Sequence, residues 1–388
     1  MSSLPEPTGE AIAEAELAGG TGERLLVIKE LDAGDGKPGR TLGLTEVAFQ
    51  PLDYATLADA RLHEGTIIPI AINSALVVDT DIEGLPIGSR VNLKTKLDSP
   101  FTSRAIGLVR GGWLPSGLAK NDNRMTLLVD RNIVSEILGR FGGAKERSGV
   151  SRDFMDMFAD EPVRINPMLH IMEGNGRRPP TEPEAIQELA IVVPKLQAVL
   201  PKAEIIATAD SIKGMMGLIA DTSAGMARRA QMLIQLAPLL GAPTSRRNLS
   251  ARWHEALATA DAHGVERRSI AVIAVLSAIA VPNGRSPARR LLKFRPGYGE
   301  ADAYNALSDL RSLELLINLL ARFPDHPAQL CTADRDLALF WVGLDAHGFE
   351  VARDGGTFQM SPVEALLPGV SDDDLAAIGL NGAGAVDD

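Results

Sequence analysis

Residues 125–141 read MTLLVDRNIVSEILGRF, and this order of residue types decides the fold. MTLLVD (125–130) has the apolar run of a short buried strand. The helical pattern NIVSEILGRF follows at once, with Gly142-Gly143 as its stop. The same syntax returns late in the chain, where AQLCT (328–332) reads as a strand and DLALFWVGLDAHG (336–348) as the helix after it. Strands alternating with helices predict an α/β domain whose parallel sheet is covered on both faces. Sites in such sheets form outside the carboxyl ends of the strands. Asp130 ends the first run, and Asp334 follows the second in LCTADRDLALFW (330–341), so both fall where a site would form.

Between these two stretches, RDFMDMFA (152–159) reads as a further helix. RINPMLHIME (164–173) reads as a second extended run, ending on Glu173. Thr181 and Glu184 have the spacing of a capping box for a helix that starts near Pro183. Residues 185–292 are mostly helical, with AGMARRAQMLIQLAPLL (224–240) and ERRSIAVIAVLSAIAV (266–281) as the clearest segments. ADAYNALSDLRSLELLINLLARF (301–323) is a long amphipathic helix. It carries Asp309 amid apolar positions, with Asn305 one turn earlier on the same face. FEVAR (349–353) is a closing strand.

The chain before this region is patterned differently. RLLVIKEL (24–31), TIIPIAINSALVVD (66–79), SRVNLKTKL (89–97) and RAIGLVRGGW (104–113) are strand-like and separated by turn-formers. They predict a small β-rich domain over residues 23–122, which would dock a protein partner, cover the site or bind substrate. Residues 1–22 and the acidic tail from Ser371, within the segment 353–388, have the composition of disordered chain.

Composition narrows the class. Of 388 residues, 45% are hydrophobic and only 4% aromatic, so the cores are aliphatic. A single cysteine, Cys331, excludes an intrachain disulfide and a cysteine-based zinc site, and reads as a buried strand residue. The acidic N-terminus lacks a signal pattern, and SIAVIAVLSAIAV (269–281) is shorter than the ~20 apolar residues of a membrane span. These features predict a soluble, cytoplasmic protein with no membrane partner. The net charge of −11 argues against wrapping nucleic acid on a uniformly basic surface. Residues 221–300, however, carry +7 and the remainder −18. Arg246, Arg247, Arg267, Arg268, Arg289, Arg290 and Lys293 therefore make either a phosphate-binding face or ordinary exposed helix surface.

Asp130, Glu173, Asp309 and Asp334 would meet at one edge of the sheet. Such a cluster repels itself, and a hard divalent cation, Mg²⁺ or Mn²⁺, relieves the repulsion. Each acid also has a plainer reading: Asp130 as a helix cap, Glu173 in a polar loop, Asp309 salt-bridged to an arginine. Taken in order, TLLVDRNIVSEI, HIMEGN, YNALSDLRSLELL and LCTADRDLALFW resemble the PIN-like metal-dependent nucleases over residues 123–352. The resemblance implies an α/β/α domain with an inserted helical subdomain at 185–297. It assigns Asp130, Glu173, Asp309 and Asp334 as metal ligands, with Asn132 and Thr332 as accessory positions and Asp336 as an accessory acid or merely the start of the last helix. Asn305 joins the accessory positions by its helix spacing to Asp309. It further implies phosphodiester hydrolysis, in RNA before DNA, and frequent self-association. A catalytically silent nucleic-acid-binding or scaffold module is the second reading. A phosphatase-type D-x-D fails because Asn132 stands where the second Asp belongs.

Overall fold

The computed structural model describes residues 11–17, 24–30, 39–119, 125–142, 151–160, 162–174, 178–352 and 355–380. Its first unit is built from β1 (Ala11–Leu17), β2 (Arg24–Glu30), β3 (Thr41–Thr45), β4 (Ala48–Phe49), helix α1 (Tyr54–Asp59), β5 (Thr66–Thr80) and β6 (Arg90–Ser99). The strands run in the order β3-β2-β1-β6-β5-β4, and β3 also pairs with β5, so five of them close into a barrel. Alternation in β5 fills the interior with Ile68, Ile70 and Ile72. A bulge between Ile72 and Ala75, with Ser74 at φ 54°, then re-aims the strand. Ala11–Leu17 falls in the stretch expected to be disordered and is instead a strand along β2. The rest of residues 1–23 lies outside the described residues.

The second unit follows without a linker: β7 (Ile106–Val109), β8 (Gly112–Pro115), α2 (Ser116–Ala119), β9 (Thr126–Val129), α3 (Arg131–Phe141), α4 (Met157–Asp160), β10 (Arg164–Asn166), α5 (Met168–Glu173), α6 (Glu182–Val199) and β11 (Glu204–Ile205). Next come α7 (Ala209–Leu240), α8 (Leu249–Ala262), α9 (Ile270–Ala280), α10 (Pro287–Leu292), α11 (Glu300–Arg322), β12 (Ala328–Thr332) and α12 (Arg335–Leu344). The sheet order is β11-β10-β9-β12-β7-β8. Its first four strands are parallel, and β7 joins β12 antiparallel. RAIGLVRGGW is thus a hairpin of the α/β sheet, where the sequence placed it in the N-terminal β-rich domain.

Both faces of this sheet are covered, as the strand–helix alternation requires. Leu127, Val129 and Cys331 point into a core with α3, α5, α6 and the start of α7. Leu128 and Leu330, one residue out of phase, point into a second core that continues through α8–α12 and the barrel. In α9 every residue is buried, so its unbroken apolar run packs all round. The Thr181–Glu184 capping box forms and starts α6. Since α6 and β11 complete the crossover from β10, the helices remote from the sheet begin within α7, later than residue 185.

Three other segments differ from expectation. MLHIME is helix α5, not an extended run, because Asn166 Oδ1 accepts Met168 N–H at 2.9 Å and turns the chain directly after β10. FEVA (349–352) lies in a separate hairpin, β13 (Ala346–Ala352) with β14 (Gly355–Met360), apart from the main sheet, and Arg353 lies outside the described residues. Beyond Ser371, which caps it, α13 (Asp372–Ala377) is helical, while residues 381–388 lie outside the described residues. Among the described residues no helix is long and apolar enough to cross a membrane.

Barrel and α/β unit are joined by paired backbone bonds between Leu52 and Trp113, at 2.8 and 3.2 Å. Arg335 adds two bonds to the α1 carbonyls of Leu57 and Ala58, at 2.8 and 2.7 Å. Gly112 sits at this seam with φ +150°, and a Cβ there would lie 2.2 Å from the Leu52 carbonyl oxygen. Gly112→Ala is expected to cost about 1–3 kcal/mol and lower the melting temperature by several degrees. An unchanged melting curve would show that the seam yields freely.

Candidate active site

In the parallel sheet the chain runs β9, β10, β11 in one direction and then returns to β12 on the other side of β9. The crevice outside the β9 and β12 carboxyl ends is therefore the topological switch point, where open α/β sheets bind ligands. Register places Cys331 opposite Val129, so Asp130 and Thr332 emerge side by side, with Asp130 N–H directed at the Cys331 carbonyl at 3.4 Å.

Asp130 is 7% exposed and caps α3, its Oδ1 accepting Ile133 N–H at 2.8 Å. The Thr332 hydroxyl also donates to it. Burial and the Asp334 charge nevertheless hold its carboxyl above the usual range. Asp334 caps α12, accepting the N–H groups of Asp336 and Leu337 at 2.8 and 3.1 Å. Its own N–H donates to Thr332 Oγ1 at 3.0 Å. Thr332 therefore serves both acids. Each acid also faces the positive end of a helix, which offsets part of its cost.

Glu173 is the last residue of α5, which stops there because Gly174 adopts φ 62°. Burial, then the charges of Asp130 and Asp309, push its carboxyl up to about 7, against the Arg131 N–H that donates to it. Asp309 is likewise raised to about 7 by burial and by the charges of Asp334 and Asp130, with Lys293 opposing. All four carboxylates thus lie within electrostatic reach of one another's cluster. α11 is held there by two donors to the Met172 carbonyl, Tyr304 Oη at 3.2 Å and Arg311 Nη2 at 3.4 Å. Arg131 Nη1 ties α3 to the Gly174 carbonyl at 2.8 Å.

The remaining expected residues divide. Asn132 and Asn305 are exposed at the rim, one residue after the α3 N-terminus and one turn before Asp309. Asp336 is not turned into the cluster but gripped by Arg290, whose Nε lies 2.7 and 2.8 Å from its two oxygens. Arg267 is spent on Asp261 and the Ala377 carbonyl, and Arg289 on the Leu240 carbonyl. Arg246, Arg247, Arg268 and Lys293 are exposed. The basic segment is thus partly internal bracing rather than one free face. Cys331 is fully buried, and burial pushes its thiol up, which removes it as a nucleophile. Arg131, Tyr304 and Arg311 escaped the sequence reading. Only the seven-residue spacing of Tyr304 and Arg311 on one helix face could have signalled them.

An all-carboxylate donor set suits a hard divalent cation such as Mg²⁺ or Mn²⁺ in chemistry. As positioned, no group of three or more His, Cys, Asp or Glu among the described residues forms a ready ligand set for one ion. The donors fit by type and charge, and closing on an ion would require them to draw together. No family model, curated protein or solved structure matches this chain.

The raised carboxyls set a pH dependence. Glu173 and Asp309 keep protons to about 7 when folded, whereas their ordinary values are 4.5 and 3.8. Between those values the unfolded chain releases protons first, so each group subtracts stability as pH rises. In EDTA, Asp309→Asn is expected to gain on the wild type by about 1–3 kcal/mol between about pH 5 and about pH 8. Melting curves of the two proteins that keep the same separation across this range would contradict the coupling.

Proposed function

We propose that the protein is a metal-dependent endonuclease that hydrolyses phosphodiester bonds, with RNA as its substrate. What supports this reading best is a set of carboxylates near the switch point of a parallel sheet, Asp130 and Asp334 after β9 and β12, Glu173 ending α5 and Asp309 in α11, with the charge of Asp130 felt at Glu173 and Asp309 and that of Asp334 at Asp130 and Asp309. A fold keeps such a charge where a cation or a reaction uses it. The resemblance of the motifs to PIN-like nucleases supports the same chemistry and is the sole ground for RNA before DNA.

Asp130, Glu173, Asp309 and Asp334 would act as ligands rather than nucleophiles. Bound Mg²⁺ or Mn²⁺ would activate water and steady the leaving oxygen of a phosphodiester. Glu173 and Asp309 must give up their protons to ligate, so binding strengthens as pH rises through about 7. Lys293, held by its left-handed backbone at the end of α10, is an exposed cation within reach of Asp309 and suits a backbone phosphate. Asn132 and Asn305 offer neutral hydrogen bonds at the rim. The second reading, a nucleic-acid-binding module without catalysis, is favoured by one observation: the carboxylates do not stand as a ready ligand set.

The test is incubation of the purified protein with labelled single-stranded RNA, and separately single-stranded DNA, in Mn²⁺, Mg²⁺ or EDTA. Cleavage is expected only with metal, falling by roughly a hundredfold or more in Asp130→Asn and Asp334→Asn. Cleavage that survives in both variants places the activity elsewhere. Binding without cleavage under every condition favours the silent module.

A further inference from the structure

A cavity of about 350 Å³ opens beside the carboxylate cluster, between the end of α5 and the exposed face of α6. Two of its lining residues adjoin the cluster in the chain: Arg131 follows Asp130 and Gly174 follows Glu173. Each is one backbone step, about 3.8 Å between Cα atoms, from a carboxylate-bearing residue. The cavity is therefore one residue along the chain from two of the four carboxylates, Asp130 and Glu173.

Its walls have a definite chemistry. Arg178 pairs with Glu184 through bonds of 3.0 and 2.6 Å, which directs its exposed guanidinium along one edge of the cavity mouth. Ile171, Ala185 and Ile191 supply aliphatic surface, and Ile191 is 44% exposed although apolar. Gln187 contributes an exposed amide, which offers both a donor and an acceptor. His170, 6% exposed, pairs through Nε2 with Glu188 at 3.1 Å, while its Nδ1 has no hydrogen-bond partner.

A guanidinium and aliphatic walls suit the face of a flat heteroaromatic ring, and an amide suits its edge. The volume sits at the low end of the ~300–1,000 Å³ usual for small-molecule sites. It has room for one base and none for a double helix. We propose that this cavity holds the base of the unpaired nucleotide next to the phosphate at the carboxylate cluster. The cavity would thus restrict the protein to single strands and give it a base preference at one position beside the cut. The position of the cut rests on the nuclease reading, whereas base capture does not.

The test uses the full chain, wild type and two pocket-filling variants, Gln187→Trp and Ile191→Trp, both at exposed positions so that folding is preserved. Val351→Trp, on the separate β13–β14 hairpin and 63% exposed, is the control. Fluorescein-labelled single-stranded RNA and DNA hexamers of each base, and a duplex of the same sequence, are titrated in EDTA by anisotropy. Cleavage ends are mapped in Mn²⁺. Wild type and control are expected to bind single strands over duplex with a preferred base. Both pocket variants are expected to bind roughly tenfold more weakly and to lose that preference. Equal RNA and DNA binding would place recognition on the base alone, and an RNA advantage would add the 2′-hydroxyl; either agrees with base capture. Pocket variants that bind and cut as wild type does overturn the cavity's role and leave the nuclease reading standing. A wild type that binds single strands in this way yet never cuts overturns the nuclease reading and leaves the cavity's role standing. A wild type that binds no strand overturns the cavity's role outright.

Discussion

The placing of buried and half-buried carboxylates near one another, at Asp130, Glu173, Asp309 and Asp334, is the constraint that the caps and pairings of the α/β unit serve. Ionised acids of like sign, buried together, cost stability unless something holds and partly neutralises them. The fold meets that cost with helix N-termini. Asp130 takes the first N–H groups of α3, Asp334 those of α12, and Glu173 shares the α3 terminus through Arg131 N–H. Parallel pairing of β9 with β12 makes the first two neighbours, and Tyr304 and Arg311 pin the helix that brings the fourth. What remains is a proton affinity near neutrality on Glu173 and Asp309, set first by burial and then by the neighbouring carboxylate charges.

The positive charge of residues 221–300 has been divided between bracing and surface. Arg290 holds Asp336 and thereby the start of α12, Arg289 reaches back to α7, and Arg267 ties α8 to the C-terminal helix. Of the twelve cations, Arg228, Arg246, Arg247, Arg268, Arg285, Arg290, Lys293 and Arg295 are exposed, and Arg290 and Arg295 among them are paired with Asp336 and Asp302. Charge counted along a sequence therefore overstates the surface available to a polyanion, because guanidinium groups serve as readily for internal carbonyls and carboxylates.

Much of the α/β unit was legible because its strands are short apolar runs ending in an acid and its helices carry caps. Asp130 and Asp334 were singled out this way, each by a β-strand followed at once by a helical pattern, and each is a helix cap. Glu173 was singled out from a local reading that the structure corrects, a strand where the chain is helix. MLHIME is too short for its period to distinguish strand from helix, and the deciding contact is the Asn166 side chain. Strand partners were not legible at all. RAIGLVRGGW reads as β wherever it pairs, and only its long-range bonds to β12 assign it to the second sheet. Barrel closure by β3 and β5, and the cavity between α5 and α6, likewise depend on residues far apart in the chain.

The most direct test of a single carboxylate centre is a calorimetric titration of metal-free protein with Mn²⁺ at about pH 8, where the raised carboxyls are ionised. Wild type, Asp309→Asn and Asp334→Asn are compared, with circular dichroism confirming that each is folded. One centre predicts saturable Mn²⁺ binding by the wild type and a weakening of roughly tenfold or more in each variant, although the two residues lie on different elements. Binding that is absent from the wild type, or unaltered by either substitution, would contradict it.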